Sequence, residues 1–317
     1  MKTVKLIEVK SEIGAGTRGA SLGVDAIKIA ALDFGSSYFR KHKTVEVPNE
    51  NQQLMEPIVH EYAKRIKGVL AVCERVSKEV AKSFSDPDCF PIVLAGDHST
   101  AIGTVAGIKM AFPKKRIGVI WIDAHADLHS PYTTLSGNIH GMTLAALLAE
   151  DNMENGMNKP DEETVEYWKK LKNIGAVSPK INHSDIVFIA LRDMESQEDH
   201  IIKKNKIRVI NLAEIRRKAV ERVAFESLNY LDQCDLIYIS FDVDSMDSSI
   251  SKGTGTPVPS GLTEKEAGNL IYYLLRSRKI CCFEMVEINP TLDRENLMAE
   301  NAFEILYKAT NQITNDF

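Results

Sequence analysis

The chain has 317 residues, 44% hydrophobic and 26% charged, the balance of a folded globular protein rather than a disordered one. Its 39 Lys and Arg against 44 Asp and Glu give a net charge of -5, which disfavours a nucleic-acid binder resting on a general basic surface. No apolar run approaches the roughly 20 residues needed to span a bilayer, and MKTVKLIEVK at the N-terminus lacks the apolar core of a signal peptide. No membrane association and a cytoplasmic chain are therefore expected. Five cysteines, Cys73, Cys89, Cys234, Cys281 and Cys282, are scattered with no CxxC, so free thiols are expected rather than a zinc knuckle or a redox motif.

Short Val- and Ile-rich runs alternate with longer amphipathic stretches. A first strand is expected at 4–9. Residues 56–84 follow with apolar side chains close to a 3.6 period, predicting a helix. Strands are expected at 91–95 and 117–122. Residues 150–173 are polar and acidic, with a short helical pattern only near their end, and read as a surface excursion within a single domain. Further strands are expected at 186–191, 207–210, 236–241 and 280–286. Between the last two, residues 262–278 open with Thr263 and carry Glu266 three residues on, a capping box before a helix. Residues 295–313 predict a C-terminal helix. Each strand run is apolar on both alternating sets of positions, as in a parallel sheet covered on both faces. The pattern predicts a three-layer α/β/α sandwich with a central, mainly parallel sheet.

Chemistry follows the strands. The run 91–95 leads into Asp97 and His98, 117–122 into Asp123, His125 and Asp127, 236–241 into Asp242 and Asp244, and 280–286 into Glu287. Ligands of open α/β folds bind at this carboxyl edge of the sheet. In extended backbone, residues two apart face the same way, so Asp123, His125 and Asp127 project together, as do Asp242 and Asp244. Such groups converging without partners would be costly to bury. Divalent cations remove that cost, and carboxylates with imidazole suit manganese or a similar first-row ion better than structural zinc. The four negative charges of Asp123, Asp127, Asp242 and Asp244 match two divalent ions. Asp97 by itself fits a helix cap.

These residues resemble the arginase family of ureohydrolases. The resemblance is carried by GDHS (96–99), DAHAD (123–127) and SFDVDSMD (240–247), with GTGTPVPSGL (253–262) and VEINP (286–290) also similar and GAGTRGASLGVDAI (14–27) a weaker likeness. It implies two Mn2+ ions and hydrolysis of a guanidino compound with release of urea. On its pattern His98 and Asp127 bind one ion, His125 and Asp244 the other, and Asp123 and Asp242 bridge the pair. A water between two cations loses its proton near neutral pH and attacks the guanidinium carbon. Asp127 would hold that nucleophile and pass its proton on, His140 would protonate the departing amine, and Glu287 would pair with the guanidinium. Thr256 would line the guanidinium end.

The rest of the substrate is read from HSPYTTLSGNIH (129–140). The resemblance implies that Ser136 and Asn138 hold the α-carboxylate of L-arginine. His129 stands where arginases commonly have Asn, and Glu195 where they typically have Asp to meet the α-amino group. Relatives acting on agmatine, guanidinobutyrate or formiminoglutamate share the metal motifs and are the alternatives. A binuclear metallophosphoesterase is a remoter reading, because those enzymes carry GNH[ED] and late paired histidines where this chain has GNIHG and DxD. A regulatory or scaffold protein without turnover is another. Homo-oligomers, trimers or dimers of trimers (hexamers), are implied by the resemblance.

Overall fold

Strands apolar on both faces need two covering layers, and here they have them. The computed structural model describes residues 2–315. Its strands are β1 (Thr3–Val9), β2 (Lys43–Glu46), β3 (Cys89–Ala95), β4 (Ile117–Ile122), β5 (Ile186–Ile189), β6 (Arg208–Ile210), β7 (Leu236–Asp242) and β8 (Ile280–Val286). They form one sheet in the order β2-β1-β3-β8-β7-β4-β5-β6, and every pair is parallel.

The helices are α1 (Gly23–Asp33), α2 (Tyr38–Lys41), α3 (Ile66–Ser83), α4 (Ala101–Ala111), α5 (Thr143–Leu148), α6 (Glu162–Lys172), α7 (Ser196–Asn205), α8 (Leu212–Lys218), α9 (Val220–Tyr230), α10 (Glu264–Leu274) and α11 (Leu297–Asn315). They divide between two cores. Ile120 and Ile122 of β4 pack with Ile27 of α1, Val223 of α9, Leu270 of α10 and Leu306 of α11. Val119 and Trp121 of the same strand turn the other way, towards Val76 of α3, Val105 of α4, Leu171 of α6 and Ile201 of α7. The sandwich is α/β/α, and its sheet is entirely parallel.

The expected α10 capping box is present: Thr263 Oγ1 accepts from Glu266 N at 3.1 Å, and Glu266 Oε2 from Thr263 N at 2.9 Å. The helix expected over 56–84 starts only at Ile66, because Arg65 before it has a left-handed φ of 56°. The ten residues ahead of it are draped across the molecule instead. There, Lys64 N donates to Gly137 O at 2.7 Å and the buried His60 bonds Thr164 Oγ1 at 2.9 Å. That segment buttresses the loop on which Ser136 and Asn138 sit. Residues 150–173 are less of an excursion than expected. Asp161 caps α6 by accepting from Thr164 N at 2.8 Å, and the helix buries Trp168 and Leu171.

Sequence reasoning missed β2, an edge strand of Lys43–Glu46 with mostly exposed side chains. Such a strand carries no apolar run to read. The strand expected over 186–191 stops at Ile189, since Ala190 turns to a φ of 71°. All five cysteines are free thiols, as expected. Among the described residues no helix is long and apolar enough to cross a membrane.

Candidate metal centre

β3, β8, β7 and β4 are neighbours in the sheet, so the acids and histidines that follow them arrive at one edge. Each loop is held by its own carboxylate. Asp97 accepts from Ser99 N at 3.0 Å and from Gly14 N at 3.0 Å. It caps the turn as expected and also pins the glycine-rich opening loop beside His98. Asp123 Oδ1 accepts from His125 N at 2.7 Å, and Asp242 Oδ1 from Asp244 N at 2.8 Å. Asp127 is held at a left-handed φ of 51°. Its carbonyl accepts from Leu144 N at 2.9 Å, at the start of α5. Backbone strain of this kind persists only where surrounding contacts enforce it.

The side chains converge. His98 Nδ1 lies 3.2 Å from Asp123 Oδ2, 3.1 Å from Asp127 Oδ2 and 3.3 Å from Asp242 Oδ2. His125 Nδ1 lies 2.9 Å from Asp244 Oδ2 and 3.6 Å from Asp123 Oδ1. Two groups of potential ligands result, His98 with Asp123 and Asp127, and Asp123 with His125 and Asp244. Asp123 belongs to both. All six residues expected to hold metal join one connected cluster, Asp242 through its contact with His98, and all but His125 are buried.

Do these donors fit two cations? His98 Nδ1 and Asp123 Oδ2 are buried and make no hydrogen bond. They are an ion pair at 3.2 Å rather than an aligned hydrogen bond, which leaves the hydrogen-bonding capacity of both buried atoms unused. Electrostatics agree. Burial opposes a charge on either imidazole, yet the Asp123 contact holds His98 protonated well above its ordinary range, and Asp244 does so for His125. Burial and like charge push Asp127, Asp242 and Asp244 upward. The oxygen and nitrogen donor set fits two divalent ions of the manganese type.

Around this cluster lie the other expected residues. Glu287, also at positive φ (67°), accepts on Oε1 from His98 N at 2.9 Å and lies 3.0 Å from His140 Nδ1. Burial alone would lower the His140 pKa, but Glu287 raises it to about 9. Thr256 Oγ1 donates to Asp244 Oδ2 at 3.1 Å. His129 Nε2 lies 3.1 Å from Glu195 Oε2. Ser136 is exposed, its hydroxyl accepting from Asn138 N at 3.2 Å, and Asn138 is half-buried. Among the described residues no hydrogen bond or ion pair links these last two directly to the acid cluster.

Four further residues shape the site without having been expected. Ser240 Oγ lies 2.7 Å from His98 Nε2, and the Trp121 ring stacks on the His98 ring at 4.1 Å. Both are strand residues whose positions in the runs looked merely apolar or small. Arg192 Nη2 donates to the carbonyls of Asp244 and Val258 at 2.8 Å each, clamping two loops together. Glu198 is buried and accepts on Oε1 from Leu128 N at 3.0 Å. Its place three residues after Glu195 was the available signal, because that spacing is a capping box.

A parallel α/β sandwich with two imidazoles and four carboxylates at its carboxyl edge, one carboxylate shared, defines a protein with a candidate two-cation centre. The comparisons make this specific. The family model described as Arginase family matches residues 2–311. The chain is 33% identical to the arginase of Bacillus subtilis over 310 residues, covering 96% of each chain. It is 34% identical to that of Bacillus caldovelox over 310 residues, covering 96% of this chain and 97% of that one. The crystal structure of the Bacillus caldovelox enzyme superposes with a TM-score of 0.83 at 31% identity, covering 98% of both chains. Formimidoylglutamase from Bacillus subtilis shares the fold, with a TM-score of 0.76 at 20% identity, covering 100% of this chain and 88% of that one. The chain belongs to the arginase family and is a hydrolase of non-peptide C–N bonds.

Proposed function

We propose that the protein hydrolyses L-arginine to L-ornithine and urea with two Mn2+ ions, His98 and Asp127 holding one, His125 and Asp244 the other, and Asp123 and Asp242 bridging. The observation that carries this is the shared Asp123 between two imidazoles, with His98 Nδ1 and Asp123 Oδ2 left without hydrogen bonds. The arginases to which the chain is about one-third identical support the substrate. Two such ions would supply a water acidic enough to act as nucleophile near neutral pH, and Lewis-acid stabilisation of the reacting centre.

The chain's own residues do the rest. Glu287 spends Oε1 on His98 N and His140, while Oε2 faces the side of Gly255 and receives the guanidinium. Asp127 accepts a hydrogen bond from the attacking water and passes its proton towards the departing amine. His140, held protonated by Glu287, donates to that amine as the C–N bond breaks. Thr256 orients Asp244 and lines the guanidinium end. Ser136 and Asn138, with His129 as a further donor on the same loop, receive the α-carboxylate, and Glu195 the α-amino group.

The protein works as a single ureohydrolase domain over residues 1–317, in the cytoplasm, as a homo-oligomer. A kinetic panel of L-arginine, agmatine and guanidinobutyrate with defined Mn2+ loading tests the substrate. Urea release fastest from L-arginine is expected; a clear preference for agmatine would overturn the choice. The alternative, a related amidinohydrolase, is favoured by one observation only, the engagement of Glu195 by His129.

A further inference from the structure

A cavity of about 520 Å³ lies between the end of α1, α2 and α11, and it shares no residue with the acid cluster. Small-molecule sites are of this size, roughly 300–1,000 Å³. α1 starts at the carboxyl edge of the sheet, where Gly23 packs against Ile288 just past β8. It then runs back for 11 residues, about 16 Å. Phe34 at its end therefore stands at the opposite edge from the metal centre. There Gly35, at a left-handed φ of 65°, ends the helix, with Ser36 N donating to Ala31 O at 2.8 Å, and turns the chain into α2.

Aromatic rings form the floor of the cavity. Tyr38 and Phe303 are buried and meet edge to face at 5.8 Å, and the Tyr38 hydroxyl is bonded to Thr310 Oγ1 at 2.7 Å. Phe34 and Tyr307 lie 5.9 and 6.1 Å from the Phe303 ring, yet stay 51% and 47% exposed. Each ring is thus packed in part and open in part to a further ring, which would find edge or offset contacts with both. Two opposite charges, Lys41 and Glu304, line the same cavity. Among the described residues neither makes a side-chain hydrogen bond or an ion pair, with the other or with anything else. Lys308, one turn beyond Glu304, is held by Asn269 Oδ1 instead. His42 adds no charge near neutral pH, since burial and then Lys41 hold it below its ordinary value.

We propose that this cavity binds a free amino acid with an aromatic side chain, its ring against Phe34, Phe303 and Tyr307, its carboxylate on Lys41 and its ammonium on Glu304. A ligand of one charge would leave the other side chain unmatched, whereas a zwitterion supplies both charges within one small head. Lys41 carries its charge on a flexible stem, which lets it close on that head. An alkyl side chain would forgo the ring contacts that Phe34 and Tyr307 offer. The site is separate from the hydrolytic centre and does not depend on what that centre hydrolyses.

Calorimetry on the full chain tests this with L-phenylalanine as the probe, and a Kd of about 1 mM or tighter is expected. L-Alanine, phenethylamine and hydrocinnamate lack the ring, the carboxylate and the ammonium in turn. Each should bind at least about tenfold more weakly. K41Q should weaken L-phenylalanine by about tenfold and leave phenethylamine unchanged, and E304Q should weaken it equally and leave hydrocinnamate unchanged. Both positions are exposed, so these variants should fold and release urea at the wild-type rate. No binding of L-phenylalanine, equal binding of L-alanine, or binding indifferent to K41Q and E304Q would overturn the proposal. So would a wild-type assembly that F34A splits in sedimentation, since a second copy would then cover the cavity.

Discussion

Asp123 faces two histidines with one carboxylate, Oδ2 at 3.2 Å from His98 Nδ1 and Oδ1 at 3.6 Å from His125 Nδ1. Asp123 is the residue common to both groups of potential ligands, so on the proposed reading it would be the one shared by two cations. Asp123→Asn keeps the shape and removes the charge. Urea release should fall by at least about a hundredfold, since even contacts outside the ligand set are worth up to that much. The His140–Glu287 pair makes a separate prediction. Glu287 lifts the buried His140 to about 9 against the downward pull of burial. A raised folded-state value means stability that is fully present below about pH 6.5 and is lost as pH rises through about 9. In E287Q the largest lifting charge is gone while Asp127 and Asp97 remain, so a proton NMR titration of His140 should move clearly down from about 9. A midpoint that stays near 9 in E287Q would exclude Glu287 as the cause.

At the scale of elements, the loop 129–140 depends on a segment that is not helical. Gly137 has a φ of 74°, and a Cβ there would lie 2.0 Å from Glu61 O. Gly137→Ala should cost about 1–2 kcal/mol from the backbone conformation alone. Thermal unfolding measures it, and KM for arginine should rise with it. This is also where the sequence was least legible. The period of apolar residues runs on from 56 into α3, but tertiary bonds from Lys64 and His60 outweigh it before Ile66. β2 was invisible because an edge strand needs no apolar face. The core strands were readable because both their faces are buried, and the clustered acids and histidines because each follows such a strand. Ser240, Trp121 and Glu198 were not, since their importance lies in what they touch.

For the molecule as a whole, the sheet order brings β3, β8, β7 and β4 together and so assembles acids from positions 97 to 287 in one place. The carboxylates favour protonated His98 and His125, and burial with like charge raises Asp127, Asp242 and Asp244, so cations bound there would displace protons. Metal binding should therefore release protons and tighten as pH rises between about 6 and 8. Calorimetry in buffers of different ionisation enthalpy reads that release directly. Mn2+ should also raise the melting temperature in a concentration-dependent way, because ligands that come from different strand ends are brought together only in the folded chain.

The most direct measurement is the number of ions the folded chain holds. Chelator-stripped protein, titrated with Mn2+ and freed of unbound metal, should retain two ions per chain, and Asp123→Asn should lose at least one. A wild type that binds none, or an Asp123→Asn variant that still binds both as tightly, would contradict a two-cation centre.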